Sequence, residues 1–171
     1  MKAEYINPFV SAAVDVFSTM LKCELTRGKL TIGNGAQPTM DISGIIGLSG
    51  RASGTVVLSL DRAVALSATE ILLSQKCESI DGDVIDAVGE LTNMVAGRAK
   101  AGLEHLAMSL ALPTVITGKN HVISFGSATQ TLAIPFTCEW GGAVLEVGLV
   151  EGPEAAEAAE AAMLAGSGAL A

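Results

Sequence analysis

Apolar and polar residues alternate with helical spacing over residues 83–106, which is the clearest pattern in the chain. At about 100° per residue, one side of such a helix is apolar and consists of Val84, Val88, Leu91, Val95 and Ala99. The opposite side, here called the polar stripe, consists of Asp86, Glu90, Asn93, Gly97 and Lys100. The pattern predicts a long helix from about Asp83 to about Leu106, with its apolar side on a core.

Two glycines, Gly89 and Gly97, lie on or beside the polar stripe. A glycine in a helix interior costs about 0.5–1 kcal/mol relative to alanine. We therefore expect another surface to come close to the helix backbone here. The alternative, non-functional interpretation of the polar stripe is an ordinary solvated helix face, since a Glu and an Asn on such a face usually contact only water.

A second helical repeat predicts a helix over residues 8–22, with Asn7 as its N-cap and Pro8 in its first turn. Glu4 and Asn7 repeat the Glu-x-x-Asn spacing of Glu90 and Asn93. Because residues before a proline avoid helical geometry, we expect Glu4 and Asn7 not to share a helix face.

Strand-like segments occupy most of the remaining chain, at about 24–32, 40–48, 53–60, 114–117, 121–125, 130–138 and 143–150. Gly50 and Gly54 bracket a turn, and residues 140–142 suit a hairpin turn. Asp61 is predicted to be the N-cap of a helix that ends near Ser74, with Leu73 among its inward-facing residues.

Both halves of the chain offer a helix followed by strands, and each half ends in a glycine-turned hairpin. We therefore predict an α+β fold: an antiparallel sheet with long helices on one face, built from two pseudo-repeated halves. Residues 1–150 are predicted to form a single domain. Residues 151–171 form an acidic tail rich in Ala and Glu, interpreted as a solvated appendage with helical propensity.

Composition narrows the classes of function. The chain has 171 residues, 50% of them hydrophobic, and a net charge of −8. This charge argues against nucleic acid or an anionic membrane surface as a partner, because both require basic patches. The chain has no apolar run of about 18 residues and no signal-peptide pattern, so no membrane segment is predicted.

The three cysteines, Cys23, Cys77 and Cys138, are far apart in sequence and are interpreted as reduced thiols of a cytoplasmic protein. The two histidines, His105 and His121, are isolated from them, so we predict neither a metal site nor a cofactor of the chain's own. The sequence contains no Ser/His/Asp or Cys/His constellation and no Walker-type loop. It therefore shows no catalytic motif for hydrolysis by the chain alone.

Residues 90–100 read Glu-Leu-Thr-Asn-Met-Val-Ala-Gly-Arg-Ala-Lys and resemble the signature helix of the CheC/CheX/FliY phosphatases of bacterial chemotaxis. The resemblance extends over residues 4–150. It includes the opening Asn7-Pro8-Phe9, the segments 54–61 and 113–118, and Ile134-Pro135-Phe136. CheC-type members carry two Glu-x-x-Asn helices, whereas the helix predicted over residues 8–22 has none. One site per chain is the CheX pattern.

The resemblance implies a CheC-like fold and hydrolysis of the aspartyl phosphate of a CheY-type response regulator, which brings its own Mg²⁺. Asn93 would orient the attacking water, and Glu90 would engage the regulator's active-site lysine. Asp86, Gly97 and Lys100 are expected to flank this contact.

The resemblance also implies a homodimer that forms through sheet edges. The main alternative is a non-catalytic module of the same fold, which binds a regulator or serves as a flagellar-switch or scaffold component. The regulator's pathway, in chemotaxis or elsewhere, is left open. The two functions differ in what they require of Asn93: a phosphatase needs its side chain accessible and free of inward hydrogen bonds.

Overall fold

The structure, a computed structural model, describes residues 3–33, 40–119, 121–123, 125 and 130–152. Its helices are α1 (Ala3–Leu21), α2 (Arg62–Leu73) and α3 (Gly82–Ala101), followed by a short 3₁₀ turn, Glu104–Leu106. Its strands are β1 (Thr26–Arg27), β2 (Thr31–Gly33), β3 (Ile42–Ser49), β4 (Ala52–Leu60), β5 (Ser109–Leu110), β6 (Thr114–Thr117), β7 (Thr131–Cys138) and β8 (Gly141–Glu151). None of the described helices is long and apolar enough to cross a membrane.

All described strands join one antiparallel sheet in the order β1-β7-β8-β4-β3-β5, with β2 also pairing with β7 and β6 with β3. The two long hairpins, β3–β4 and β7–β8, meet through β4 and β8 at the centre of this sheet. Their register places Val57 opposite Glu146. This arrangement agrees with the prediction of two hairpin-bearing halves.

The three helices pack on one face of the sheet, because alternate strand residues join the helices in a single aliphatic core. From β4 and β8 these residues include Val56, Leu58, Leu145 and Val147, all at most 1% exposed. The α+β fold class with helices on one face is therefore confirmed.

The predicted start of the first helix is wrong. α1 begins at Ala3, so Asn7 is not its N-cap, Pro8 lies inside it, and Glu4 and Asn7 both belong to the helix. The reason is packing. Tyr5 and Ile6 are only 5% and 3% exposed, and burying them in the core outweighs the conformational preference of residues before a proline.

The predicted end of the long helix is also wrong, because α3 ends at Ala101 and not near Leu106. Gly102 is the C-cap, and Pro8 packs against it. The Gly102 backbone N–H donates to the Ala99 carbonyl over 3.0 Å, and the Leu103 N–H donates to the Lys100 carbonyl over 2.9 Å. At the other end, the Asp81 side chain accepts a hydrogen bond from the Val84 backbone N–H, 3.2 Å away. A capped start and a glycine end thus delimit α3.

Two details of the second helix differ from the prediction. Asp61 is the N-cap of α2 by position, but its side chain caps nothing and accepts a hydrogen bond from the Gly142 backbone N–H, 2.7 Å away. Leu73, expected to face inward, is 46% exposed.

Among the strands, Gly54 lies inside β4 rather than at its turn, and β5 was not predicted. Of the strand expected at 121–125, the structure describes a single bridge residue, Val122, and part of that segment lies outside the described residues. From residue 153 onward the tail is also outside them.

Candidate functional site

α3 lies between α1 and α2 and rests on β3, β4 and β6. The five residues of its predicted apolar side are at most 1% exposed: Val84, Val88, Leu91, Val95 and Ala99. The helix is therefore fixed by its neighbours and by the sheet, and its opposite side is the polar stripe.

Glu90 is exposed and Asn93 is half-buried on this side, one turn apart. Within the part of the chain that the structure describes, neither side chain has a hydrogen bond or an ion pair. Asp86 is exposed next to Glu90, and Lys100 is half-buried further along the helix. The carboxylate of Glu90 and the amide of Asn93 thus retain their full hydrogen-bonding capacity for a ligand or partner.

Two open cavities flank Asn93 along the helix. The first has a volume of about 400 Å³ and is lined by Leu72, Leu73, Asp83, Asp86, Ala87 and Glu90. The second has a volume of about 450 Å³ and is lined by Gly97, Lys100, Ala101, Leu103, Glu104, Ala107, Met108 and Leu110. The structure therefore divides the polar stripe: Asp86 and Glu90 line the first cavity, and Gly97 and Lys100 line the second.

The two stripe glycines have different environments. A Cβ added at Gly89 would lie 3.5 Å from Val115 and 3.6 Å from Pro113, at ordinary contact distance from this chain's own β6 segment. The surface that approaches Gly89 is therefore intramolecular, and no external partner is needed to explain this glycine. Among the described residues, a Cβ at Gly97 would meet only Leu110, at 3.9 Å, so Gly97 leaves space in the second cavity.

Sequence reasoning missed an apolar contribution from α2. Ile71 and Leu73, at its C-terminal end, are 40% and 46% exposed, and Leu73 lines the cavity that also contains Glu90. A signal was available in the sequence: Leu72 and Leu73 are consecutive, and consecutive helical residues point about 100° apart. Both could not face the same core.

Charge changes sign along α3. Asp83, Asp86 and Glu90 lie in its N-terminal half, and Arg98 and Lys100 lie in its last turn. This order complements the helix dipole, which accounts for part of it without any partner. Arg98 is exposed and donates a hydrogen bond to Thr19 Oγ1 over 3.4 Å. Among the described residues, no group of three or more His, Cys, Asp or Glu residues could hold a metal ion.

An antiparallel sheet with helices on one face, and a Glu-x-x-Asn pair on the longest of them, define a CheC-like α+β domain. Residues 42–137, more than half of the 171 residues, match the family model described as chemotaxis phosphatase CheX. The chain belongs to this family.

Three relatives illustrate the similarity. A CheC-like superfamily protein from Shewanella sp. PV-4 is 36% identical, with a TM-score of 0.81 over 88% of this chain and 99% of its own. The CheX chain in the CheX–CheY–BeF₃–Mg²⁺ complex from Borrelia burgdorferi is 25% identical, with a TM-score of 0.74. The match covers 88% of this chain and 100% of that chain. The Thermotoga maritima protein named CheY-P phosphatase CheX is 27% identical over 130 residues, or 74% of this chain and 84% of its own.

Proposed function

We propose that this chain hydrolyses the aspartyl phosphate of a CheY-type response regulator, with Asn93 and Glu90 as the residues that act on it. One observation carries the proposal: Glu90 and Asn93 lie one turn apart on a helix fixed by the core, and neither has a partner in the described part of the chain. The relatives named above, one a CheY-P phosphatase and one bound to CheY, support the substrate class.

The chemistry requires positioning more than covalent catalysis. A water oxygen attacks the phosphorus, the bond between phosphorus and the aspartyl oxygen breaks, and the products are a carboxylate and inorganic phosphate. The Asn93 amide oxygen accepts a hydrogen bond from the attacking water and so holds it in line. The neutral amide avoids the repulsion that a carboxylate would create near the phosphoryl oxygens.

Glu90 is proposed to bind the regulator's active-site lysine and so set the register of the two proteins. The exposed Glu90 carboxylate forms no ion pair with the described residues, so binding the lysine does not require an existing ion pair to break. Mg²⁺ is proposed to belong to the regulator, and the Borrelia complex, whose components include CheY and Mg²⁺, is consistent with this. Asp86, Gly97 and Lys100 line the two cavities and are proposed as flanking contacts.

The deciding experiment measures decay of a phosphorylated, Mg²⁺-bound CheY-type regulator with wild type and with Asn93→Ala. Loss of one contact made in the transition state commonly costs about 10²–10³ in rate, so Asn93→Ala should lose most acceleration while still binding the beryllofluoride-activated regulator. The matched control is Asn7→Ala, an exposed asparagine of α1 with the same Glu-x-x-Asn spacing, which should keep the full rate.

Binding of the activated regulator without faster decay would instead identify a non-catalytic docking module. Glu90→Lys tests the second residue and should weaken binding of the regulator. Glu139→Lys makes the same charge change at the β7–β8 turn and should leave binding intact. Equal losses in both variants would show a general charge effect and contradict the assigned contact.

We further propose a homodimer through a sheet edge, and the edge that β2 forms is the better candidate. β2 pairs with β7, and its Ile32 side chain is 65% exposed. An unpaired strand edge is a template for another strand. Ile32→Lys should shift the protein to monomer in light scattering. Leu112→Lys, near the edge formed by β5 and β6, is the control, and loss of the dimer in that variant alone would place the interface there.

A further inference from the structure

Cys23 and Cys138, 115 positions apart in sequence, lie together in the fold. Cys23 follows the C-terminal end of α1, is fully buried in the core, and its backbone N–H bonds to the Phe17 carbonyl over 3.1 Å. Cys138 is the last residue of β7 and packs, half-buried, against the same core. Pairing of β1 with β7, with Thr26 opposite Thr137, brings the two segments side by side.

The two thiols differ in reactivity. The pKa of Cys23 is raised to about 12, first by burial, then by a side-chain hydrogen bond to Cys138, and then by the negative charges of Cys138, Glu139 and Glu24. Cys23 therefore stays protonated, and its S–H donates towards the Cys138 sulfur. Because the thiolate is the nucleophile, the buried and protonated Cys23 is a poor first target, and the first oxidation falls to Cys138, which lines an open cavity.

Solvent reaches Cys138 through an open cavity of about 400 Å³, lined by Lys22, Glu24, Thr26, Thr137, Cys138 and Glu139. Cys77 has a different environment: it is buried in the loop between α2 and α3, and its thiol bonds to the Gln75 carbonyl over 3.7 Å. The accessible Cys138 thus has the buried Cys23 next to it. Cys77 lies elsewhere in the fold and serves as an internal control.

We propose that Cys23 and Cys138 are an oxidant-responsive pair that forms an intramolecular disulfide with hydrogen peroxide. The Cys138 thiolate attacks one peroxide oxygen, the O–O bond breaks, and Cys138 becomes a sulfenic acid as hydroxide leaves. The Cys23 sulfur then attacks the sulfenic sulfur, and its proton leaves with the hydroxyl group as water. The product links the C-terminal end of α1 to the end of β7.

The charges around the cavity favour a small neutral oxidant. Glu24 and Glu139 both line it, and the Lys22 ammonium is bonded to the Thr19 carbonyl over 3.0 Å. These carboxylates repel an anionic oxidant such as glutathione disulfide but not hydrogen peroxide. We therefore expect peroxide to form the disulfide faster than glutathione disulfide does.

The test treats the reduced full chain with equimolar hydrogen peroxide and follows intact mass, peptide mapping and thiol alkylation. Wild type and Cys77→Ser should each lose two hydrogens and yield a peptide that joins residues 23 and 138, and Cys77 should remain alkylatable in wild type. Cys138→Ser should lose none. Wild-type mapping alone decides the linkage if that variant does not fold.

Three results would overturn the proposal: sulfinic acid at Cys138 without the cross-link, disulfide-linked dimers, or a link that involves Cys77. The folded geometry should accommodate the bond, so the oxidised protein should unfold at a higher temperature than the reduced protein. A lower unfolding temperature, or equally fast oxidation by glutathione disulfide, would contradict the corresponding part of the proposal.

Discussion

Thr92 of α3 packs directly on the backbone of Gly44 in β3. A Cβ added at Gly44 would overlap Thr92 Oγ1 and would lie 2.9 Å from Thr92 Cβ. The Thr92 hydroxyl is held by a 2.7 Å hydrogen bond to the Val88 carbonyl, so it has little freedom to move away. This contact sets how closely α3 approaches the sheet, one residue before Asn93.

Gly44→Ala should therefore destabilise the protein by about 1–3 kcal/mol, the usual cost of overpacking a core. It should also slow regulator dephosphorylation, because raising α3 displaces Asn93 from its productive position. Thermal unfolding and the rate assay measure the two effects.

Gly47→Ala is the control for this substitution. It makes the same change in the same strand, where the added Cβ would meet Ala111 Cβ at an ordinary 3.5 Å. A Gly44→Ala protein as stable and as active as Gly47→Ala would show that the Thr92 contact does not position α3.

The exposed apolar end of α2 provides a second prediction. Leu73 is 46% exposed and lines the cavity that contains Glu90, so it has little role in the core and is suited to contact the regulator. Leu73→Ala should weaken binding of the activated regulator by about 1–2 kcal/mol with little change in unfolding temperature.

Met20→Ala is the comparison for Leu73→Ala, since Met20 is 44% exposed at the end of α1, away from that cavity. Calorimetric titration measures both variants. Equal affinities for wild type and Leu73→Ala would remove the end of α2 from the proposed interface.

The site was accessible to sequence reasoning because it depends on local periodicity. Glu90 and Asn93 share a stripe, since i and i+3 positions of a helix are neighbours, and the opposite side of α3 is buried as predicted. Leu73 was misassigned because an amphipathic pattern shows which residues could be buried, not which ones a neighbouring helix covers. The environment of Gly89 depends on β6, which no local pattern places beside α3.

Long-range contacts account for the other errors. Pro8 lies inside α1 because Tyr5 and Ile6 reach the core, and a local rule about proline contains no information on burial. Asp61 precedes α2, as a cap should, but its carboxylate bonds to Gly142. The Arg62 backbone N–H is satisfied instead by Asp41, over 2.9 Å. Such exchanged partners can be seen only when the strands have been paired.

Asp61 therefore links α2 to the β7–β8 hairpin, and its removal should affect that hairpin. Asp61→Ala leaves the Gly142 N–H without its charged acceptor and should cost about 1–3 kcal/mol in the free energy of unfolding, measured by urea titration. Asp61→Asn keeps an acceptor oxygen and should cost less. If Asp61→Asn lowers the free energy of unfolding as much as Asp61→Ala does, the effect is due to the charge rather than to the hydrogen bond.

Glu146 has an unusual environment for a carboxylate. It lies in β8 opposite Val57 and Ala133, on the sheet face away from the helices, and is 3% exposed. Its Oε1 has no hydrogen-bond partner among the described residues. Burial raises the pKa of Glu146 above its ordinary value of 4.5, because removal from water penalises the charged form.

Stability should consequently decrease as pH rises. The folded state holds the Glu146 proton more tightly than the unfolded state does. The contribution of this group is fully present below the unfolded pKa and is lost as pH rises through the folded pKa. Glu146→Gln is uncharged at every pH, so wild type should lose stability relative to this variant as pH rises above 4.5, the ordinary pKa of the group.

Thermal unfolding of wild type and Glu146→Gln at a series of pH values above 4.5 measures this difference in stability. Glu104→Gln, which changes an exposed carboxyl group, is the control. Its unfolding temperature should depend on pH in the same way as that of wild type. His121 contacts the same sheet face through Ser43, 3.3 Å from its Nε2, so the comparison is repeated in a His121→Gln background, which removes the imidazole. If the curves of wild type and Glu146→Gln stay parallel in both backgrounds, Glu146 keeps its ordinary pKa, and water or a partner must solvate its carboxylate in the folded protein.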